Sequence, residues 1–187
     1  MTALLAAVFA FGALAGCTST QTGGTPTTGA QTTTGSPTSD GSDGGLSIAK
    51  YLSAPCSILK QDQVATLGTT LAATPGTGPL GPNCLWKGKD VIKNSTYTIS
   101  LTEGQDFDSM VSNVKNNPVF TDKKIDGVRV ISTDRADGEL ACLTSVQASK
   151  TDAVTVSVSA SAEERATKKP CPEGERVAQL IITNLKG

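Results

Sequence analysis

Residues 119–158 read VFTDKKIDGVRVISTDRADGELACLTSVQASKTDAVTVSV, and this stretch decides the fold. Asp126-Gly127 and Asp137-Gly138 are hairpin-turn dipeptides, because glycine accepts the positive φ that a tight turn demands. They separate three runs, Val119–Ile125, Val128–Thr133 and Leu140–Ala148, and Lys150-Thr151-Asp152 supplies a third turn. Val154, Val156 and Val158 then alternate with Thr155 and Ser157, the period of two expected of a half-buried strand. Strands joined by connections this short can only run antiparallel.

Upstream, Tyr97, Ile99 and Leu101 alternate with Thr96, Thr98 and Ser100 in the same manner. Cys84-Leu85-Trp86 is a shorter strand candidate, followed by a turn at Gly88-Lys89-Asp90. The Thr-, Gly- and Pro-rich stretch from Thr69 to Pro82 reads as a loop, long enough to carry function. Three segments have helical signals. The first opens at Pro55-Cys56-Ser57-Ile58-Leu59 and continues as Lys60 to Leu67, with Val64 and Leu67 on one face, Gln63 at the third helical position and Gly68 to end it. Asp106 can cap a second helix, whose Phe107, Met110, Val111 and Val114 form one apolar stripe before Pro118 stops it. Pro172 suits a first helical turn, Glu173 and Glu175 complement the helix dipole, and Val177, Leu180, Ile181 and Leu185 form a buried face. The order α-β-β-α-β-β-β-β-α predicts an α+β fold: an antiparallel sheet of five to six strands with helices packed on one face.

The chain has 187 residues and every charged one lies at Asp40 or later. Residues 2–16, TALLAAVFAFGALAG, are uniformly apolar or small. A spanning helix needs ~20 such residues, so this run suits the core of a cleavable secretory signal instead. No Lys or Arg precedes it, so we expect the natural start to lie a few residues upstream. The run ends Leu14-Ala15-Gly16-Cys17, which resembles the bacterial lipobox. That resemblance implies that Cys17 is diacylated on sulfur and becomes the new N-terminus, anchoring the protein to the outer face of the cell membrane; two acyl chains suffice for stable attachment. Residues 18–45 are Thr, Ser, Gly, Pro and Gln with little else, and cannot bury apolar surface. We expect a disordered tether spanning roughly 30 Å, free to let the domain reorient. The expected organisation is therefore a signal over 1–16, lipidated Cys17 and tether over 17–45, and one globular domain over 46–187.

Four cysteines lie in that domain: Cys56, Cys84, Cys142 and Cys171. An even count in an exported domain reads as disulfides. Three pairings are open; the layout favours Cys56–Cys84, joining the first helix to a strand, and Cys142–Cys171, joining the last helix to another. A cysteine zinc site would want C-x-x-C spacing or histidines, and the chain has neither. The sequence around the four cysteines carries a second resemblance. Pro55-Cys56-Ser57-Ile58-Leu59 leading to Leu67-Gly68, then Cys84-Leu85-Trp86, Ala141-Cys142-Leu143, and Pro170-Cys171-Pro172 before a terminal amphipathic helix are similar to an actinobacterial cell-envelope lipoprotein family catalogued as a domain of unknown function. The resemblance covers about Pro55 to Leu185. It implies an anchored envelope protein and transfers no catalytic residues.

The domain holds all 16 Lys and Arg and 15 of the 17 acidic residues, with Lys123-Lys124 and Lys168-Lys169 its densest basic spots. Nucleic-acid binding wants a basic face interleaved with aromatics, and only Tyr51, Trp86, Tyr97, Phe107 and Phe120 are aromatic here, so nucleic acid is not an expected partner. There is no histidine, which removes Ser-His-Asp and Cys-His catalysis and any imidazole pH switch. Ser57-x-x-Lys60 fits the nucleophile motif of penicillin-binding proteins. So do Ser47-x-x-Lys50 and Ser112-x-x-Lys115, no S-D-N follows, and Lys150-Thr151-Asp152 departs from K-T-G, so the match is compositional. Carboxylates cluster at Asp106/Asp108, Asp134/Asp137/Glu139 and Glu163/Glu164, each better explained by a helix start or a turn than by a glycosidase pair. We therefore expect no enzyme and no cofactor. The leading expectation is a non-catalytic envelope module that binds a partner protein or ligand through its sheet face or a loop. A carrier of a lipid or other apolar molecule is the alternative, and a histidine-independent hydrolase the third.

Overall fold

A computed structural model describes residues 45–187. The signal, Cys17 and the tether expected from the sequence lie outside the described residues. The sheet has seven strands: β1 (Thr74–Gly78), β2 (Gly81–Trp86), β3 (Thr96–Thr102), β4 (Val119–Ile125), β5 (Val128–Asp134), β6 (Ala141–Gln147) and β7 (Ala153–Ser159). Their spatial order is β1-β2-β3-β7-β6-β5-β4, and every pairing is antiparallel. The helices are α1 (Ala49–Leu52), a 3-10 turn at Pro55–Ile58, α2 (Gln61–Ala65), α3 (Phe107–Val114) and α4 (Pro170–Lys186).

The strand count exceeds the expected five to six. The additional strand is β1, which lies inside the stretch read as a loop. Its sequence, TPGTG, has no apolar alternation because it is an exposed edge that buries nothing. Pro75 lacks the N–H that a central strand would need, so the strand is confined to an edge, where proline also discourages pairing with a further chain. The hairpin continues past β1: Thr70 bridges Gly88 while Thr74 pairs with Leu85, so the three residues 71–73 oppose the two residues 86–87. That is a bulge of one residue, which bends the edge strand locally.

One of the two expected Asp-Gly turns is a tight hairpin; the other, Asp137-Gly138, lies within the longer connection from Asp134 to Ala141, where only Gly138 takes a positive φ, of 74°. Asp126 and Gly127 adopt φ of 49° and 80°, the paired left-handed conformation of a tight two-residue hairpin. Alternation then sorts the side chains onto two faces. On one, Tyr97, Ile99, Leu101, Val130, Val146, Val154, Val156 and Val158 meet Val177, Ala178, Ile181, Ile182 and Leu185 of α4. Ile58, Leu59, Leu67, Cys84 and Trp86 close the same core at its other side. Gly174 lets α4 approach the sheet, because a Cβ there would overlap the Thr144 hydroxyl.

The second face corrects the expectation that all helices share one side. Phe107 and Val111 of α3 bury against Ile131 and Ala153, whose neighbours Val130 and Val154 point into the first core. A strand alternates its side chains, so α3 must cover the opposite face. The structure joins Cys56 to Cys84 and Cys142 to Cys171. The first bond ties the N-terminal segment to β2, and the second ties the start of α4 to β6.

Candidate functional site

α3 covers only part of its face, and the uncovered part forms a groove. Its floor carries Ile131 and Thr133 of β5, Leu143 and Ser145 of β6 and Thr155 of β7; its walls are Met110, Asn113 and Val114 of α3 and Leu80 of the β1–β2 turn. The cavity measures about 180 Å³. A second one of about 220 Å³ continues it past Val114, Thr133 and Leu143 to Asn117, Arg135 and Ser157. The alternation that places Val154, Val156 and Val158 in the core leaves Thr155 and Ser157 on this side. The hydroxyls of the first cavity already have partners: Ser145 and Thr155 bond each other at 2.9 Å, and Thr133 receives the Asn117 amide and donates to the Val119 carbonyl, while Ser157 lies in the second cavity. With those bonds made, the groove presents chiefly carbon.

A third cavity of about 410 Å³ opens beside the bulge. Leu59 and Val64, the Cys56 side of the disulfide, Thr70–Ala73 and Trp86 line it. The stretch read from sequence as a long loop thus becomes one wall of the largest of the three cavities described here.

The ionisable groups do not converge on any of these cavities as a reacting pair would. Glu173, buried at the start of α4, accepts the Tyr97 hydroxyl at 2.9 Å and takes two bonds from Arg176 at 2.7 and 2.9 Å. Burial, and next the adjacent Glu173 charge, push the Tyr97 phenol well above its ordinary range, so it stays a neutral donor. Arg176 continues to the hydroxyl and carbonyl of Thr66, linking α4 to the end of α2. The cluster is a structural bolt through the core.

The acidic clusters singled out in the sequence are likewise occupied. Asp106 accepts the Ser109 N–H at 2.8 Å and caps α3. Arg129 bridges Asp108 and Asp122, with its guanidinium 5.6 Å from the Phe107 ring centroid. Asp134 accepts the N–H groups of Ala136 and Gly138 within its turn, Asp137 accepts that of Glu139, and Glu139 pairs with Lys169. Glu164 accepts the Ser95 N–H and pairs with Lys168, while Glu163 is exposed. The Ser57 hydroxyl donates to the Ala54 carbonyl at 2.7 Å instead of meeting Lys60. No group of three metal-ligating side chains occurs among the described residues. The groove was not readable beforehand, since periodicity locates a helix's apolar stripe without saying which face of a sheet it will cover.

These contacts fix how stability should depend on pH. Hydrogen bonds from the Ser109 backbone and side chain hold the Asp106 carboxyl low, and the Arg129 bond does the same for Asp122. Burial alone would raise Glu164, but Lys168 and Ser95 outweigh it and lower it from the usual 4.5. A carboxyl that titrates lower folded than unfolded contributes stability above its unfolded value and loses it as pH falls through the folded one. With no histidine to titrate, the urea midpoint should stay level from neutrality down to about pH 5 and drop as the pH falls further. A midpoint that shifted between about pH 6 and 7 would contradict this assignment.

Against known proteins, the chain belongs to the family described as "Protein of unknown function (DUF3558)", whose model matches residues 12–184. Neither the curated proteins nor the solved structures contain a match.

Proposed function

We propose that this member of the family is a lipid-anchored, extracytoplasmic module of an actinobacterial envelope, and that it binds a ligand or partner without catalysing a reaction. The reading has Cys17 as the lipidated residue and the Thr- and Gly-rich stretch after it as a tether. The observation that carries the binding role is the groove beside α3: a half-covered sheet face whose hydroxyls in the first cavity are already paired and whose walls are Met110, Val114, Leu143 and Leu80. Burying apolar surface is favourable by roughly 25 cal/mol per Å², so such a groove favours an apolar moiety over a polar one. The occupied state of every acidic cluster named above supports a binding role over hydrolysis.

The same groove favours a second reading, carriage of a lipid or other apolar envelope molecule. Such cargo would lie on the α3 side, because the space between the sheet and α4 is filled by Tyr97, Ile99, Ile181 and Ile182, all fully buried.

Native mass spectrometry of the mature protein, released gently from its own envelope, tests both. An added mass on the folded domain, absent from a Leu143→Asp variant that retains both disulfides, is the expected result for cargo in the groove. A bare polypeptide that crosslinks through the α3 face to an envelope protein would place the partner there instead. A bare polypeptide with no crosslink at that face would overturn the assignment of the groove.

A further inference from the structure

The turn between β2 and β3 holds a second feature, independent of the groove. Residues 87–93 read KGKDVIK, and Val91 and Ile92 are 68 % and 58 % exposed. They are not displayed by a slack loop. The Asp90 carboxylate accepts the Ile92 N–H at 2.9 Å, the Asp90 carbonyl accepts the N–H groups of Lys93 and Asn94, and the Asn94 side chain accepts the Asp90 N–H. From outside the turn, the Glu163 N–H donates to the Ile92 carbonyl at 3.1 Å. Gly88 is buried so tightly that a Cβ would overlap the Asn94 carbonyl. The backbone is thus braced at five points while two aliphatic side chains stand in water.

Lys87, Lys89 and Lys93 surround this tip, all three exposed and none in an ion pair among the described residues. Of the acids nearby, Glu164 is paired with Lys168, while Asp90 keeps its charge, so the three lysines and one aspartate of residues 87–93 leave the tip at 3 − 1 = +2.

We propose that this tip is a membrane contact, in which Val91 and Ile92 enter the interface of an anionic phospholipid bilayer and the three lysines engage its headgroups. Charge complementarity selects that occupant. Protein interfaces are depleted in lysine and enriched in aromatic residues, whereas this tip has three lysines and no aromatic side chain. Interfacial binding to anionic lipid needs what is present: apolar surface to bury and cations at headgroup level. The contact would be additional to a lipid anchor, and would fix which side of the domain meets the bilayer.

The test uses the full chain reconstituted through its own N-terminus, so that attachment as such is not the readout. Ile92→Trp reports insertion through quenching by lipids brominated in the acyl chain; Trp86 is buried and supplies a constant background measured in the wild-type chain. In vesicles of one part phosphatidylglycerol to two parts phosphatidylcholine, we expect a blue shift and strong quenching. Both should be lost in pure phosphatidylcholine, in high salt, and when Lys87, Lys89 and Lys93 are all replaced by Gln. Hydrogen exchange at residues 89–93 of the wild-type chain should slow on the anionic vesicles alone. Equal quenching in both lipid compositions, or none in either with exchange unchanged, overturns the proposal.

Discussion

Replacing Glu173 by alanine should lower the unfolding free energy by about 2–3 kcal/mol, the largest loss expected from any single charged residue of the domain. The estimate follows from what is left behind. The Tyr97 hydroxyl is wholly buried and has Glu173 as its acceptor, so truncation strands a buried donor, which costs roughly 1–3 kcal/mol. Arg176 loses both carboxylate bonds as well, but its side chain is 38 % exposed, so water recovers part of that loss. The total therefore falls below the ~3–5 kcal/mol seen when a fully buried pair is broken. Tyr97→Phe removes the donor together with the need for it and should cost much less, about 1 kcal/mol. The Glu173→Ala, Tyr97→Phe double variant should then be less destabilised than the two single losses added together. Urea unfolding of the four proteins checks this, and simple additivity would mean that the two side chains are not coupled.

How much of this could be read from the sequence depended on whether a segment's pattern reports its own burial. The strands β4–β7 were legible because Asp-Gly turns and Val/Thr alternation each constrain the backbone locally, and the Asp106 cap because a short acidic side chain before an apolar stripe has few other uses. β1 was not legible. An exposed edge of Thr, Pro and Gly buries nothing and so leaves no period, and its pairing with β2 is set by a two-residue turn at Pro79-Leu80. The face covered by α3 was hidden for a different reason. Its stripe of Phe107, Met110, Val111 and Val114 is equally compatible with either side of the sheet, and only the one-residue offset between Val130 and Ile131 decides. The groove follows from that choice, so it lay one inference beyond what periodicity offers. The lysine-ringed tip shows the converse: KGKDVIK is plain in the sequence, but that Val91 and Ile92 stay outside the core is a fact of tertiary structure.

Removing the disulfides one at a time should separate two roles that loop length alone would make equal. The bonds close spans of 28 and 29 residues, so the chain-entropy model assigns each ~3–4 kcal/mol. Their surroundings differ. Cys56 lies in a segment of helical pieces only four or five residues long, far too short to persist without tertiary support. That support comes from Cys84, from the burial of Ile48, Tyr51, Ile58, Leu59 and Leu67 at the margin of the main core, and from a few polar ties to α4: Tyr51 to the Asn184 carbonyl, and the Asn184 amide to the Ile58 carbonyl and Gln63. Cys171 instead opens a helix of 17 residues whose buried face is already seated on β5, β6 and β7. Cys56→Ala with Cys84→Ala should therefore release residues 46–67 by local opening, read as fast hydrogen exchange there while β5–β7 stay protected. It should also widen the cavity beside the bulge, since Cys56, Leu59 and Val64 form its rim. Cys142→Ala with Cys171→Ala should leave that segment protected and lower the protection of the whole sheet and α4 together. If both variants lost protection uniformly, the N-terminal segment would be part of the cooperative core and the disulfide at Cys56 would not act as its local clasp.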